Sequence, residues 1–502
     1  MTAVQNALEL KEAIRKSQMT PLNDPRFASL EKSTFAESAS ATSGLTYYDL
    51  EPGARLLFPV LTPLRNSIPR VSGKGGVQAA WRAITAVNSS GLRIGVSGGN
   101  RGGVAAMTTK DYIANYKGLG IETSVDFEAQ YAGQGFDDLR ALAAQTGLEA
   151  LMIGEEAMIL GGNASLALGA TATPTLAASS SGGALATGTL SVIAVALSLD
   201  GLMNASVANG IQAQITRTNA DGSSDSFGGG AAQKSANATV SVTGPSGSVT
   251  ASVAASRGAP GYAWFWGAAG SEVLGAITTI NSLVIAASAT GTQTAASLPA
   301  ADFSSNALAF DGLLTQAFAS GSGSLIVTQP NGVAGTGTPL TADGAGGIVE
   351  IENVLKTNWD IYRLSPDEVW VSSQEAMNIS KKVLSAGSNA AQRFIFDATN
   401  QAFAGGVMAT TYKNKYSMAG PKSLDIKVHP NMPAGTMLFL TRKLPYPLAN
   451  VGNVIQMRTR QDYYQIEWPL RARRYEYGVY ADEVLQHYFP PSMSVITNIG
   501  NG

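Results

Sequence analysis

The sequence predicts an α+β protein whose chain is interrupted by an inserted all-β sandwich. From Asn163 to Gly347 the chain is an almost uncharged island of Ser, Ala, Gly and Thr, whose only charges are Asp200, Arg217, Asp221, Asp225, Lys234, Arg257, Glu272, Asp302, Asp311 and Asp343. Just before it, Phe136, Leu139, Leu142, Leu151, Met158 and Ile159 recur at helical spacing. On both flanks the pattern turns to strands: Val77, Ala79, Trp81, Ala83, Thr85 and Val87 alternate, and so does the block Arg471–Leu485. Two ordinary flanks, Met1–Gly162 and Ile348–Gly502, are therefore expected to build one body around an insertion.

In chain order, Val4, Ala7, Leu8, Ala13 and Ile14 give an amphipathic first helix, ended by the Pro21–Pro25 linker. Arg55–Ala129 reads as a long hairpin, with turns at Asn88–Gly91 and Gly98–Gly103. It is too rich in glycine and polar residues for a core of its own, so a neighbouring subunit is expected beneath it. Gly135–Gly161 reads as one long helix with Asp137 and Asp138 in its first turn, open to bending at Gly147 or Gly154. Inside the island, Leu190–Leu197, Gln212–Ile215, Thr239–Val242 and Ile280–Ile285 are strand-length apolar runs, and Tyr262, Trp264 and Trp266 sit at period two. That is a small β-sandwich, with Ala170–Ala184 as its flexible connector. After the island, Val369–Val371 is a strand, and Ser372 with Glu375 forms a capping box for a helix carrying Ala376, Ile379 and Val383. Strands at Ile426–Val428, Met437–Leu440 and Val454–Met457 complete a second α/β region.

Composition narrows function. The chain has no cysteine, which removes disulfides, thiolate metal sites and cysteine nucleophiles, and it fits a reducing compartment. His429 and His487 are its only imidazoles; neither has a second ligand at metal spacing, and both read as packed or surface rings. A net charge of −2 supplies no general attraction for phosphates. The charged N-terminus, with Glu9, Lys11, Glu12, Arg15 and Lys16, is no signal peptide, and no apolar run reaches a membrane span.

The candidate motifs are weak as chemistry. Ser72–Val77, SGKGGV, lacks the helix that a phosphate-binding loop must open. Glu155 and Glu156 diverge by about 100° on a helix and are expected to pair with basic groups of another element. Asp367 and Glu368 follow Pro366 as turn residues. In Arg471–Leu485, Arg471, Arg473, Tyr475, Tyr477 and Val479 share one strand face and Arg474, Glu476 and Tyr480 the other, a composition suited to a protein interface or to nucleic acid. No catalytic, cofactor-binding or metal residue is assigned.

In order and motifs the flanks resemble the major capsid proteins of tailed bacteriophages, with the Hong Kong 97-type shell fold. The resemblance is carried by EEAMILGGN (Glu155–Asn163), FDGLL (Phe310–Leu314), TADGAGG (Thr341–Gly347), LSPDEVWVSSQE (Leu364–Glu375) and the closing run from Trp468 to Ile499. It covers Arg55–Gly162 and Phe310–Ile499. It implies an N-terminal arm (1–54), an extended hairpin loop and start of a peripheral domain (55–130), a spine helix (131–163), an inserted immunoglobulin-like sandwich (164–306), a peripheral return (307–358), an axial domain (359–457) and closing C-terminal strands (458–502). The folded part of the insertion narrows to Gly188–Ala300.

By the same resemblance the protein is no enzyme and needs no cofactor. Its partners would be copies of itself in hexamers and pentamers, a separate scaffolding protein, portal and decoration proteins, and packaged double-stranded DNA held without sequence specificity; no membrane is involved. It would assemble in the bacterial cytoplasm and reside in the virion. The short arm leaves no room for a fused scaffold, and although Lys74 and Lys110 lie on the hairpin, no cross-link is assigned. The competing reading is a bacterial surface or adhesion protein with a Ser/Thr/Gly-rich binding domain.

Overall fold

The computed structural model describes residues 59–87, 94–133, 138–385, 395–397, 402–404, 409–418 and 420–502. The expected first helix and arm (1–54), the turn at Asn88–Gly91 and the helix start at Gly135–Asp137 lie outside the described residues. The fold is α+β. The chain divides into two compact units, one drawn from Met1–Arg65, Gly118–Glu156 and Gln461–Asp482, the other from Asn66–Lys117, Ala157–Arg460 and Glu483–Gly502. No helix of the described residues is long and apolar enough to cross a membrane.

In the first unit the dominant element is the helix Leu139–Gly161, whose last residues belong to the second unit. It is unbroken, so neither Gly147 nor Gly154 ends it. Asp138 starts it: its Oδ1 accepts the N–H of Arg140 (3.1 Å) and of Ala141 (3.3 Å), covering donors that have no partner inside the helix. Gly147 serves close packing. A Cβ there would stand 3.1 Å from Thr123 and 3.5 Å from Val479, so its absence lets the helix lie on the strands Lys117–Asp126 and Arg474–His487.

Among the described residues the second unit holds separate cores in the inserted domain and beneath a six-stranded sheet. The inserted domain is a sandwich of seven strands. One sheet runs Val273–Thr278, Gly261–Gly267, Gly188–Leu197, Ala238–Val242, and the other Ser282–Ile285, Ser248–Ser252, Thr175–Ser179. In sequence order these sheets read 6-5-2-3 and 7-4-1, whereas an immunoglobulin domain sets A, B, E and D against C, F and G. The segment Ala170–Ala184, expected as a connector, supplies the strand Thr175–Ser179.

Strands Gly188–Leu197 and Gly261–Gly267 are buried on both faces. Val192, Ala194, Ala196, Tyr262, Trp264 and Trp266 fill the space between the sheets. Ile193, Val195, Leu197, Ala263 and Phe265 meet Ile211, Leu274 and Leu298 on the far side. That explains a continuous apolar run where a half-exposed strand would alternate. The buried tyrosine and tryptophans of the strand have their polar tips paired: Tyr262 OH accepts the Ser256 N–H (2.8 Å), Trp264 Nε1 donates to Thr278 (2.8 Å), and Trp266 Nε1 to the Ala287 carbonyl (3.0 Å).

The other core lies under a six-stranded sheet ordered Leu325–Thr328, Met493–Thr497, Met437–Leu440, Glu368–Val371, Lys422–Val428, Thr411–Asn414. Helix Val349–Tyr362 contributes Ile351, Val354 and Leu355, one helical stripe, to a cluster with Val369, Val371, Phe439 and Ile496. That helix stops at Arg363, held left-handed at φ 55°, whose N–H bonds the Trp359 carbonyl and whose guanidinium bonds the Trp359 and Asp360 carbonyls. Asp367 and Glu368 do more than turn the chain. Glu368 lies in a strand and pairs with Lys427 (2.9 Å) and Arg442 (3.1 Å), which hold its carboxyl below the usual range against the opposing effect of burial.

Helix Ser373–Ser385 shows half of the expected capping box. Ser372 Oγ accepts the Glu375 N–H (3.3 Å), but the Glu375 carboxyl turns away to take the N–H of Gly435 (3.1 Å) and the amide of Asn378 (3.3 Å). Buried there, Glu375 is pushed up to about 7. His487 moves the other way. Its Nδ1 accepts the Phe489 N–H (3.2 Å), which only a neutral ring can do, and burial followed by the charge of Arg442 brings it down to about 3.

The pH consequences have opposite sign. The folded state keeps the Glu375 proton that the unfolded chain releases above its ordinary 4.5, so this group's stability is full below 4.5 and falls by ~3 kcal/mol as pH rises to about 7. The unfolded chain protonates His487 below its ordinary 6.5 while the fold refuses that proton down to about 3, so stability is lost as pH falls. Between 6.5 and 4.5 the two slopes offset each other. Below 4.5 the histidine slope remains, joined in the same direction by Glu368, whose carboxyl is held below its ordinary 4.5. Urea midpoints measured against pH should be level over the first interval and decline below it, and Glu375→Gln should decline from 6.5 downward.

Candidate assembly surfaces

The hairpin is a two-stranded ribbon, Gln78–Val87 against Met107–Asn115, in antiparallel register with Trp81 opposite Tyr112 and Arg82 opposite Asp111. Its base is anchored: Ala79 is buried, Trp81 stacks on Tyr112 (5.7 Å, 17°), and Trp81 meets the edge of Tyr488 (5.7 Å). Beyond the base the described residues form no core. Ile84, Val87, Ile94, Val96, Val104, Met107 and Ile113 are exposed, Ile94 and Val104 by 87% and 86%. The expected alternation holds only to Ile84, where the register shifts before Ala86. Gly98–Gly103 lies in the connection between the strands; there Asn100 N bonds the Ser97 carbonyl (3.1 Å) across Gly99, held at φ 84°. SGKGGV joins the strand Arg70–Ser72 to the ribbon, with Gly75 and Gly76 both at positive φ, and opens no helix.

In the first unit, Glu155 and Glu156 diverge as expected, yet both reach Arg65. Glu155 Oε2 pairs with the Arg65 guanidinium (3.1 Å) and accepts the Tyr463 hydroxyl. Glu156, fully buried, takes the backbone N–H groups of Leu64 (2.8 Å) and Arg65 (2.7 Å), the open donors of the short helix Pro63–Ser67. Arg65 answers the expected pairing with basic groups; the backbone role of Glu156 carries no sequence signal. Glu156→Gln keeps one acceptor oxygen and turns the other into an NH2 donor facing the N–H group that it accepted. It should cost roughly 2–3 kcal/mol of stability in urea unfolding, in line with one lost hydrogen bond and a buried N–H left without its acceptor.

The C-terminal tyrosine and arginine block differs from its expected form. The strand begins at Arg474, so Arg471 and Arg473 stand outside it, and Arg473 pairs with Glu128 (2.8 Å) at the surface. Tyr475 and Tyr477 share a face, and Arg140 of the long helix covers it, its guanidinium 4.3 Å and 5.4 Å from the two rings, bonded to the Tyr477 hydroxyl and to Glu467 (2.9 Å). On the opposite face Tyr480 lies flat over Gly120 and Gly478 and donates to Glu122. Burial, then Glu122, pushes this phenol up to about 12. These tyrosines are engaged within the fold.

Chain entry and exit of the insertion are stitched together. Asn306 N bonds the Asn163 carbonyl (2.7 Å), Gly312 N bonds the Gly162 carbonyl (2.8 Å), and Asn163 Nδ2 bonds the Ser304 carbonyl (2.8 Å). Asp311 accepts the N–H groups of Ala164 (2.8 Å) and Ser165 (3.0 Å). The two segments cross so closely that a Cβ on Gly162 would stand 2.5 Å from the Phe310 carbonyl oxygen, and one on Gly312 2.4 Å from that of Met158. His429 and His487 are both buried, and each accepts the backbone N–H two residues on, that of Asn431 (3.1 Å) and of Phe489 (3.2 Å).

No family model matches this chain. No curated protein matches it. Among solved structures it is similar to the capsid of the empty GTA particle (10% identity, 90% of this chain and 95% of that chain, TM-score 0.40). It is also similar to the capsid of Myoviridae Phage XM1 (9%, 93% and 100%, TM-score 0.38) and to the structure titled Mycobacterium phage Che8 (7%, 92% and 100%, TM-score 0.38).

Proposed function

We propose that this chain is a major capsid protein of the Hong Kong 97 type, which assembles with copies of itself into an icosahedral shell around packaged double-stranded DNA. The observation that carries the reading is the ribbon. A two-stranded hairpin is marginal in water by itself, and this one extends a series of exposed apolar side chains past its anchored base. Each would contribute roughly 1.5–3 kcal/mol on burial against another surface. A surface repeated around a closed ring of subunits would cover every ribbon at once, with many modest contacts adding together.

On this reading the long helix is the spine of a peripheral domain, the six-stranded sheet and its helices form the axial domain, and the arm at 1–54 clasps a neighbour. The inserted sandwich projects outward. Hexamers and pentamers are the assembly units, a separate scaffold, a portal and decoration proteins are the partners, the virion is the site of residence, and no side chain has a catalytic role. Sedimentation and electron microscopy of the purified chain test this. Capsomer rings or uniform closed shells are expected; a stable monomer at high concentration would overturn it.

A further inference from the structure

We infer that the inserted sandwich is a second self-association module, pairing with the same domain of another copy through one open side. The inference rests on the shell reading for bringing the copies together.

The sandwich has four sheet edges, and they are treated differently. The edge strand Val273–Thr278 is closed by its own chain: Val273 bridges Thr294, Leu274 N bonds the Gln293 carbonyl (2.9 Å), and Gly291 N bonds the Leu274 carbonyl (3.0 Å). The edge strand Ser282–Ile285 is covered by the loop at Gly335, whose N–H bonds Ser282 Oγ (3.1 Å) and whose missing Cβ would lie 2.9 Å from Val284. The remaining edges, Thr175–Ser179 and Ala238–Val242, lie side by side, with Leu176 and Val240 packed on the same core. Among the described residues no backbone hydrogen bond runs outward from either.

An open strand edge is a template for another strand, and folds usually blunt it with charge, proline, a bulge or a covering segment. Two edges here are covered. The other two have neither cover nor charge, for no charged residue occurs in 163–199 or in 235–256. The charges of the domain lie elsewhere: Arg217, Asp221 and Asp225 are on the hairpin Gln214–Thr218/Ser224–Gly228 and its turn, and Asp200, Lys234, Arg257, Glu272 and Asp302 are outside both edge strands.

This distribution selects the occupant. In a twofold contact each side chain near the axis faces its own copy, so any charge there would meet a like charge. An uncharged edge is what self-pairing requires, whereas a charged partner would call for complementary charges. A twofold axis normal to both sheets would set Thr175–Ser179 antiparallel to itself, with Ala177 opposite its own copy, and bring the two Ala238–Val242 strands together beside it.

The absence of cysteine makes the test clean. Ala177→Cys places one exposed thiol at the axis, where directly opposed residues of an antiparallel pair lie within disulfide reach. Thr216→Cys, exposed on the charged hairpin, is the control. Both are made in the full chain, assembled, oxidised mildly and run on non-reducing gels. Covalent dimers from Ala177→Cys at tenfold or more over Thr216→Cys are expected. Normal shells with equal or absent dimers from the two variants would overturn the edge contact and leave the shell reading standing. Dimers without shells would overturn the shell reading alone, and neither shells nor dimers would overturn both.

Discussion

Replacing Arg82–Asp111 with an Asn-Gly turn should yield a chain that folds and unfolds as before but forms no shells. Arg82 and Asp111 face each other across the ribbon, so the shortened hairpin closes on Trp81 and Tyr112 with a two-residue turn of a favoured type. The stack of those rings and their edge contact with Tyr488 are retained. None of the described residues removed is buried, so the unfolding midpoint in urea should stay where it was. What is lost is the exposed apolar series from Ile84 to Met107, the surface that a neighbour would cover. Light scattering and electron microscopy should then report monomers or isolated capsomers. Normal particles from this variant would remove the ribbon from assembly.

Excising Ala164–Ser305 and joining Asn163 to Asn306 through a short glycine linker should leave the body folded and able to assemble, with an outer layer of density gone. The ends lie within one hydrogen bond of each other (2.7 Å). The buried residues of the two clusters in the insertion all lie between Leu185 and Leu298, and those of the cluster beneath the six-stranded sheet between Leu340 and Ile499. The cut breaks a few ties between the insertion and the rest of the chain, among them Arg257 Nε to the Phe318 carbonyl (2.5 Å) and the buried bond of Asn281 N to Asn498 Oδ1 (3.0 Å). Each contributes about 1 kcal/mol. Calorimetry should show the body unfolding in one cooperative transition; a chain that does not fold would refute an independent insertion.

Which parts of this were legible in the sequence follows from how local the physics is. The long helix was readable because its apolar stripe and its starting aspartates are local signals, and Asp138 does cap it. The ribbon was readable from alternation without a core's worth of apolar residues, although the register shift past Ile84 has no local signature. The sandwich was legible as strands, but not its strand order, and the strand at Thr175–Ser179 hid inside a stretch whose Ser, Ala and Gly resemble a linker. Long-range pairings were the hardest. Nothing near Glu156 announces that its partners are backbone N–H groups some ninety positions earlier. Nothing in the alternation of Tyr475 and Tyr477 shows that Arg140 covers them. The stripe reads as an interface in sequence because inward and outward contacts demand the same residue types.

The central claim is that the ribbon is completed by another copy of this chain. Cryo-electron microscopy of assembled particles tests it most directly. The ribbon Gln78–Val87/Met107–Asn115 should lie across an adjacent subunit with Ile84, Val104 and Ile113 covered. Particles in which those side chains still face solvent, or in which the ribbon folds back on its own subunit, would contradict the account.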